Sequence, residues 1–293
     1  MKTFNFYVLI LLISFSTIAQ IRGVVKDSIT GKPIPYVNIS VANENLGTTS
    51  EDDGKFTVPV SEKSKYLIFS ALGFEKKTVK ISKASEVSLN PKIYQLDEVV
   101  ISKKFETRQK EIGKSEDQIF EAFDHGPKID AKFFPYFPSY KKTKFIKQVV
   151  VVTDSKIDDA MFKIHFYSVN VDGFPGEEIL DKDLIVSVNK GVKETKFSLL
   201  KFNLRMPKQG IFVGFEKLMI AKNKLERSIT DANSNTTHAQ TIYFPFILYN
   251  SVKRDFVFAY SGGKWVKQSK QNQNDPSEKI TVYEPAINLI LTN

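Results

Sequence analysis

The sequence predicts an all-β chain built from two packed domains, and three observations predict it. Apolar and polar residues alternate in runs of four to eight, as in Val37-Asn38-Ile39-Ser40-Val41 and Phe56-Thr57-Val58-Pro59-Val60, the period of a half-buried strand. Turn-forming clusters such as Thr30-Gly31, Asp53-Gly54 and Asp172-Gly173 separate these runs, supplying residues that tolerate positive φ. No long amphipathic helical pattern intervenes, and 293 residues are enough for two cores at roughly 100–200 residues each.

In chain order, residues 1–19 have the layout of an export signal: Lys2, the apolar run Phe6–Ile13, then Thr17-Ile18-Ala19 with small residues at the outer positions of a cleavage triplet. The apolar run is short for a spanning helix, which needs about 20 residues. Export without a single cysteine excludes disulfides, thiolate metal sites, a cysteine nucleophile and a lipid-modified N-terminal Cys. The mature protein is therefore expected to be held together by packing alone.

Residues 20–102 read as a small sandwich, with strands at Ile21–Val25, Val37–Val41, Phe56–Val60, Leu67–Phe69, Val79–Ile81 and Val87–Leu89. Five motifs then occur in order: Gly23-Val24-Val25-Lys26-Asp27, Thr30-Gly31-Lys32-Pro33-Ile34-Pro35, Gly47-Thr48-Thr49-Ser50, Asp53-Gly54-Lys55-Phe56 and Phe69-Ser70-Ala71-Leu72-Gly73-Phe74. Together they resemble the carboxypeptidase-regulatory-like domain. The segment Leu96-Asp97-Glu98-Val99-Val100-Ile101 is similar to the one that closes this module at the N-terminus of many TonB-dependent receptors. The resemblance implies a transthyretin-like Greek-key sandwich and the periplasm or outer envelope of a two-membrane bacterium. It implies no catalysis.

Carboxypeptidase activity is specifically not expected, because His125, His165 and His238 are followed three residues later by Lys128, Ser168 and Thr241, leaving no zinc-binding His pair or His-x-x-Glu. No metal or other cofactor is expected. Asp52-Asp53-Gly54 lacks the spacing of a calcium loop and reads as a hairpin turn.

Residues 103–147 read as a basic linker, in which Ile119–Phe123 is taken as one or two helical turns and Pro127, Pro135 and Pro138 break regular structure. Of the chain's +9 charge, +4 lies here, against +1 in residues 20–102 and +3 in 148–293. No nucleic-acid motif accompanies it. A solvated linker is the first reading, and weak peripheral attraction to anionic headgroups or acidic polysaccharide the second.

Residues 148–293 are expected to form a second β-sandwich or jelly roll, with strands at Val149–Val152, Phe162–Val169, Leu184–Val188, Phe197–Leu200, Ile211–Phe215, Leu218–Ala221, Ile242–Leu248, Phe256–Tyr260 and Ile280–Tyr283. The stretches His165-Phe166-Tyr167-Ser168 through Pro175-Gly176-Glu177, and Gly210 to Glu216, loosely resemble galactose-binding-like domains. A small outer-membrane barrel fits by length, but Phe244-Pro245-Phe246-Ile247-Leu248 is apolar on both faces, which suits a sandwich core better.

No nucleophile elbow or nucleotide loop occurs. His165 reads as a satisfied sheet histidine. Asp158, Asp159, Asp181 and Asp183 read as loop carboxylates rather than a glycosidase pair. If a ligand site exists, Trp265, presented by Ser261-Gly262-Gly263-Lys264, with Tyr260 and Arg254, is the candidate for glycan contact; the competing reading packs Trp265 into the core. The expected role is a non-enzymatic envelope protein that recognises a glycan or an envelope partner, with a scaffold docking by strand pairing as the alternative.

Overall fold

The computed structural model describes residues 19–92, 106–114, 120–122, 126–230, 237–269 and 280–293. The proposed leader, apart from Ala19, and the segment Leu96–Ile101 lie outside the described residues.

The first domain has strands β1 (Ala19–Asp27), β2 (Asn38–Val41), β3 (Gly47–Thr49), β4 (Lys55–Val60), β5 (Tyr66–Ser70), β6 (Lys77–Lys80) and β7 (Glu86–Leu89). They form two sheets, β4-β1-β7 and β3-β2-β5-β6. Their inner faces enclose a core that includes Val25, Val37, Ile39, Phe56, Val58, Leu67, Phe69 and Leu89. Strand β4 alternates as its sequence predicts, with Phe56, Val58 and Val60 buried. The expected turn at Asp52-Asp53-Gly54 is present, with Gly54 at φ +74° and Asp53 Oδ1 accepting from the Lys55 amide at 3.0 Å.

The second domain begins inside the expected linker. Strands β8 (Gln109–Ile112), β9 (Phe120–Ala122) and β10 (Ile129–Phe134) precede β11 (Phe145–Ser155), β12 (Ala160–Val169), β13 (Pro175–Glu178), β14 (Leu184–Val188), β15 (Gly191–Ser198) and β16 (Ile211–Lys217). There follow β17 (Lys224–Thr230), β18 (Thr237–Tyr243), β19 (Phe246–Arg254), β20 (Phe256–Ser261), β21 (Lys264–Ser269), β22 (Ile280–Pro285) and β23 (Ile287–Thr292). One sheet runs β13-β12-β16-β10-β20-β21 with β14 also on β12; the facing sheet runs β22-β19-β11-β23-β8 with β15 on β11 and β9 on β19. Phe134, Phe162, Ile164, Phe166, Val213 and Phe215 from the first meet Val149, Val151, Ile247, Ile287, Leu289 and Leu291 from the second. The chain is all-β, and this half is a sandwich. Neither sheet closes on itself among the described residues, so the barrel alternative does not describe it.

Three sequence expectations change here. The segment 103–147 is not simply a linker, because β10 lies between β16 and β20 in the middle of a sheet and seats Phe134 in the core. Phe120–Ala122 is a strand paired with β19 rather than a helical turn. Leu218–Ala221 is not a strand. Two of its backbone donors are taken by the first domain, the Met219 amide donating to Thr49 Oγ1 at 3.0 Å and the Ala221 amide to Glu51 Oε1 at 2.8 Å.

The two domains are in direct contact. Asn38, Ser40, Thr48 and Thr49 are buried although they are polar, because the second domain covers the outer face of β2 and β3. The β20–β21 turn docks on the same side: Asn43 N donates to Gly262 O at 3.2 Å, and Gly263, at φ +84°, sits so close that a Cβ would meet Ile68 Cδ1 at 2.1 Å.

Candidate functional site at the domain junction

Where the outer face of the β12 sheet meets the first domain, a cavity of about 740 Å³ opens. Strand alternation builds its floor. Phe162, Ile164 and Phe166 of β12 enter the sandwich core, which sends Lys163, His165 and Tyr167 to the opposite face. On neighbouring β16, Val213 and Phe215 are core residues, which leaves Glu216 on the cavity face. Register places His165 opposite Gly214 and Lys163 opposite Glu216.

The imidazole of His165 is held between two carboxylates. Its Nε2 donates to Glu216 Oε2 at 2.8 Å, and its Nδ1 lies 3.2 Å from both oxygens of Glu178 on β13. Asn38 of the first domain donates through Nδ2 to the other Glu216 oxygen at 2.6 Å, and Ser40 Oγ donates to Asn38 Oδ1 at 2.9 Å. A charged relay thus crosses the domain boundary. Burial by itself pushes the His165 imidazolium toward deprotonation, but the charges and hydrogen bonds of Glu178 and Glu216 outweigh it and raise its pKa to about 10. Burial likewise opposes ionisation of Glu216, and the bond from His165 overcomes it, leaving that carboxyl below its usual value. Lys163 is paired separately with Asp183 at 2.9 Å, and Asp158 Oδ1 accepts from the Lys190 amide at 2.9 Å.

Aromatic rings make one wall. Tyr167 stacks on His165 with centroids 5.5 Å apart and planes 11° apart. Trp265 meets Tyr167 edge-on at 5.2 Å and Tyr260 edge-on at 5.4 Å. Tyr260 and Trp265 are cross-strand partners on β20 and β21. Lys76 of the first domain reaches in to donate to Gly263 O at 2.9 Å, and its ammonium lies 5.5 Å from the Tyr260 ring centroid. Burial pushes the Tyr260 phenol up to about 12, with Glu216 adding to the effect, so both phenols of this wall remain neutral donors.

The structure therefore brings Tyr260 and Trp265 together and separates Arg254 from them. Arg254, at the end of β19 in the facing sheet, binds Glu284 and lines a different cavity. Trp265 is half-buried: it packs beside Tyr167, Phe212 and Phe258 and also borders the cavity. The loop expected to present it to solvent is instead docked on the first domain. Sequence reasoning passed over Glu178, Glu216, Tyr167 and Asn38. The available signal was Lys163-x-His165-x-Tyr167, three polar-bearing positions on one face of a strand whose other face is apolar from Ala160 to Phe166.

Comparison with known proteins agrees with the reading of the N-terminal part. Residues 21–101 match the model of the CarboxypepD_reg-like domain. A TonB-dependent receptor, P3, from Formosa agariphila is 32% identical over 84 residues, which is 28% of this chain and 8% of that receptor. The matching chain thus spans only a small fraction of that relative's length. The N-terminal domain is accordingly a carboxypeptidase-regulatory-like domain, a non-catalytic type.

Proposed function

We propose that this is an exported, non-enzymatic envelope protein that binds a carbohydrate in the cavity between its two domains. The observation that carries the reading is the wall formed by Trp265, Tyr260 and Tyr167 beside the polar floor of His165, Glu178 and Glu216. Aromatic faces suit the apolar face of a sugar, and convergent polar groups suit its hydroxyls. The ionised groups of the floor are satisfied by one another, which favours a neutral polar ligand over a charged one. The same pairing argues against catalysis: an imidazolium with a pKa of about 10 is not free to accept a proton near neutrality, where a general base works best.

An oligosaccharide array probed with the full mature chain tests this. Binding is expected, weakened at least tenfold in Trp265→Ala, a variant whose melting temperature falls with the lost ring packing and which is checked to be folded at the assay temperature, and less in Tyr260→Phe, which keeps the ring. A blank array overturns the carbohydrate reading. Hydrolysis of peptides or glycosides that depends on His165 or Glu178 would overturn the non-enzymatic one.

A second reading, docking of envelope proteins by strand pairing, is favoured by one feature. The β17–β18 hairpin forms a sheet of its own, and every residue of β17 is exposed, Leu225 and Ile229 included. Such a hairpin offers free edges for an added strand. A blank array with partner capture that is lost on hairpin deletion would support it.

A further inference from the structure

Arg254, displaced from the first cavity, belongs to a second one of about 640 Å³, within the size range of small-molecule sites. Its walls are aromatic. Phe133 lies 4.9 Å from Phe212 and 6.3 Å from Phe256, Phe212 lies 5.4 Å from Phe258, and Phe137 stands at the mouth, 51% exposed.

The floor is ionic. Glu284 of β22 accepts from Arg254 Nε at 2.6 Å and Nη2 at 2.9 Å, and from the Lys132 ammonium at 3.0 Å. Lys132, on β10, is buried and donates also to Gly113 O at 2.6 Å. One carboxylate thus serves two cations, and the set of Lys132, Glu284 and Arg254 carries a net charge of +1, with Lys132 and Glu284 buried and Arg254 partly in solvent. Burial, aided by the nearby Arg254 charge, pushes the Lys132 ammonium toward deprotonation more strongly than Glu284 holds it, the sign of a cation whose compensation is incomplete. Two more cations stand over lining rings without lining the cavity themselves: Lys267 lies 4.8 Å from the Phe256 centroid and Lys110 4.9 Å from that of Tyr140. Asp255 also borders the cavity and, after the bonds to Glu284, its charge helps hold Arg254 protonated, but it is exposed, whereas Lys132 and Glu284 are buried.

An aromatic cleft above a floor short of one negative charge specifies its occupant. We propose that this second cavity binds a small amphiphile with an apolar body and a single carboxylate, the carboxylate completing the Lys132–Glu284–Arg254 set and the body lying among the phenylalanines. The site is separate from the carbohydrate cavity and does not depend on that reading. Arg254 still has donor capacity beyond its bonds to Glu284, one of its remaining contacts being a 3.3 Å bond to Lys253 O. It is therefore the group placed to reach an incoming carboxylate.

Calorimetric titration of the full mature chain with octanoate, octanol and octylamine tests the proposal. Octanoate is expected to bind at least tenfold more tightly than octanol, and octylamine more weakly than either. Arg254→Gln leaves a neutral Lys132–Glu284 pair and is expected to bring octanoate down to the octanol level while octanol is unchanged. Phe137→Ala, at a half-exposed position that folding tolerates, is expected to weaken both. Equal binding of octanoate and octanol by the wild type, no binding of either, or octanoate preference persisting in a folded Arg254→Gln would each overturn it. The wild-type ratio decides even if that variant does not fold.

Discussion

The two cavities rest on charge clusters of opposite design. At the domain junction one cation, His165, stands between two carboxylates, Glu178 and Glu216. Under the phenylalanine cleft one carboxylate, Glu284, stands between two cations, Lys132 and Arg254. Both are built from sheet residues at positions where strand alternation leaves a polar side chain with little water. They differ in what the surplus charge meets. The negative surplus at the junction is taken up by hydrogen bonds, from Asn38 to Glu216 and from the Phe166 amide to Glu178 at 3.3 Å. For the positive surplus of the other, the protein supplies a carbonyl to Lys132 and leaves the guanidinium of Arg254 partly in solvent, its side chain 43% exposed. A cluster neutralised from within stabilises; one left open at its edge is available to a ligand.

Removing the central group should hurt most, and hurt the junction more. His165→Leu leaves two buried carboxylates facing each other. Loss of about 3–5 kcal/mol is expected in urea unfolding, the usual cost of leaving a buried ion without its partner. Glu284→Gln also strands Lys132, but Arg254 can turn to solvent, so a smaller loss is expected. The reverse order would mean that the junction cluster is not the more tightly coupled one.

Alkaline pH should drive the two clusters in opposite directions. The His165 pKa is raised from 6.5 to about 10, so its contribution is whole below pH 6.5 and drains away as pH climbs toward 10. Lys132 is lowered from 10.5, so its burial costs stability while it is charged, and that cost is relieved as pH rises toward 10.5. The groups facing His165 are Glu178, Glu216, Tyr167 and, across the boundary, Asn38; the tyrosine titrates well above 10, outside the window. Unfolding measured at pH 6, 8 and 9.5 is expected to show a decline in the wild type that His165→Gln flattens and Lys132→Met steepens. A decline unaffected by His165→Gln would remove the junction cluster as its source.

How much of this was legible in the sequence follows from what alternation encodes. Strands β1, β2, β4, β5, β6 and β7 are written in period-two patterns around Val25, Ile39, Val58 and Phe69, because the first domain buries one face of each sheet in its own core. The same alternation puts Asn38 and Ser40 on the face away from that core, yet both are buried. Ser40 bonds Asn38, whose own partner Glu216 lies 178 residues away, and no local pattern announces a contact at that separation. In β10, the basic and proline-rich neighbourhood of Pro127, Pro135 and Pro138 hid a central strand; the later prolines mark where it ends. At the site, Tyr260 and Trp265 were legible together because a Gly262-Gly263 turn makes them cross-strand partners. Arg254 was not, since the chain changes sheets between β19 and β20. His165 was correctly read as a satisfied sheet histidine, but the carboxylates that satisfy it come from two other strands.

The smallest effects separate links across the domain boundary that look alike on a contact map. Asn38→Ala removes a buried hydrogen bond to the ionised Glu216, an interaction worth about 1.5–3 kcal/mol, and leaves a carboxylate oxygen without its donor. Lys92 and Glu177 also form an ion pair between the domains at the cavity mouth, with side chains 35% and 75% exposed. Water already solvates both, so Lys92→Ala is expected to cost only about 0–1 kcal/mol, and that small loss should vanish in high salt. Urea unfolding of the two variants at low and high salt distinguishes them. Asn38→Ala should show the larger, salt-insensitive loss, with the single unfolding transition broadening as the two domains uncouple. Equal losses in the two variants would mean that the domains are joined by surface charge and not by the buried relay through Glu216.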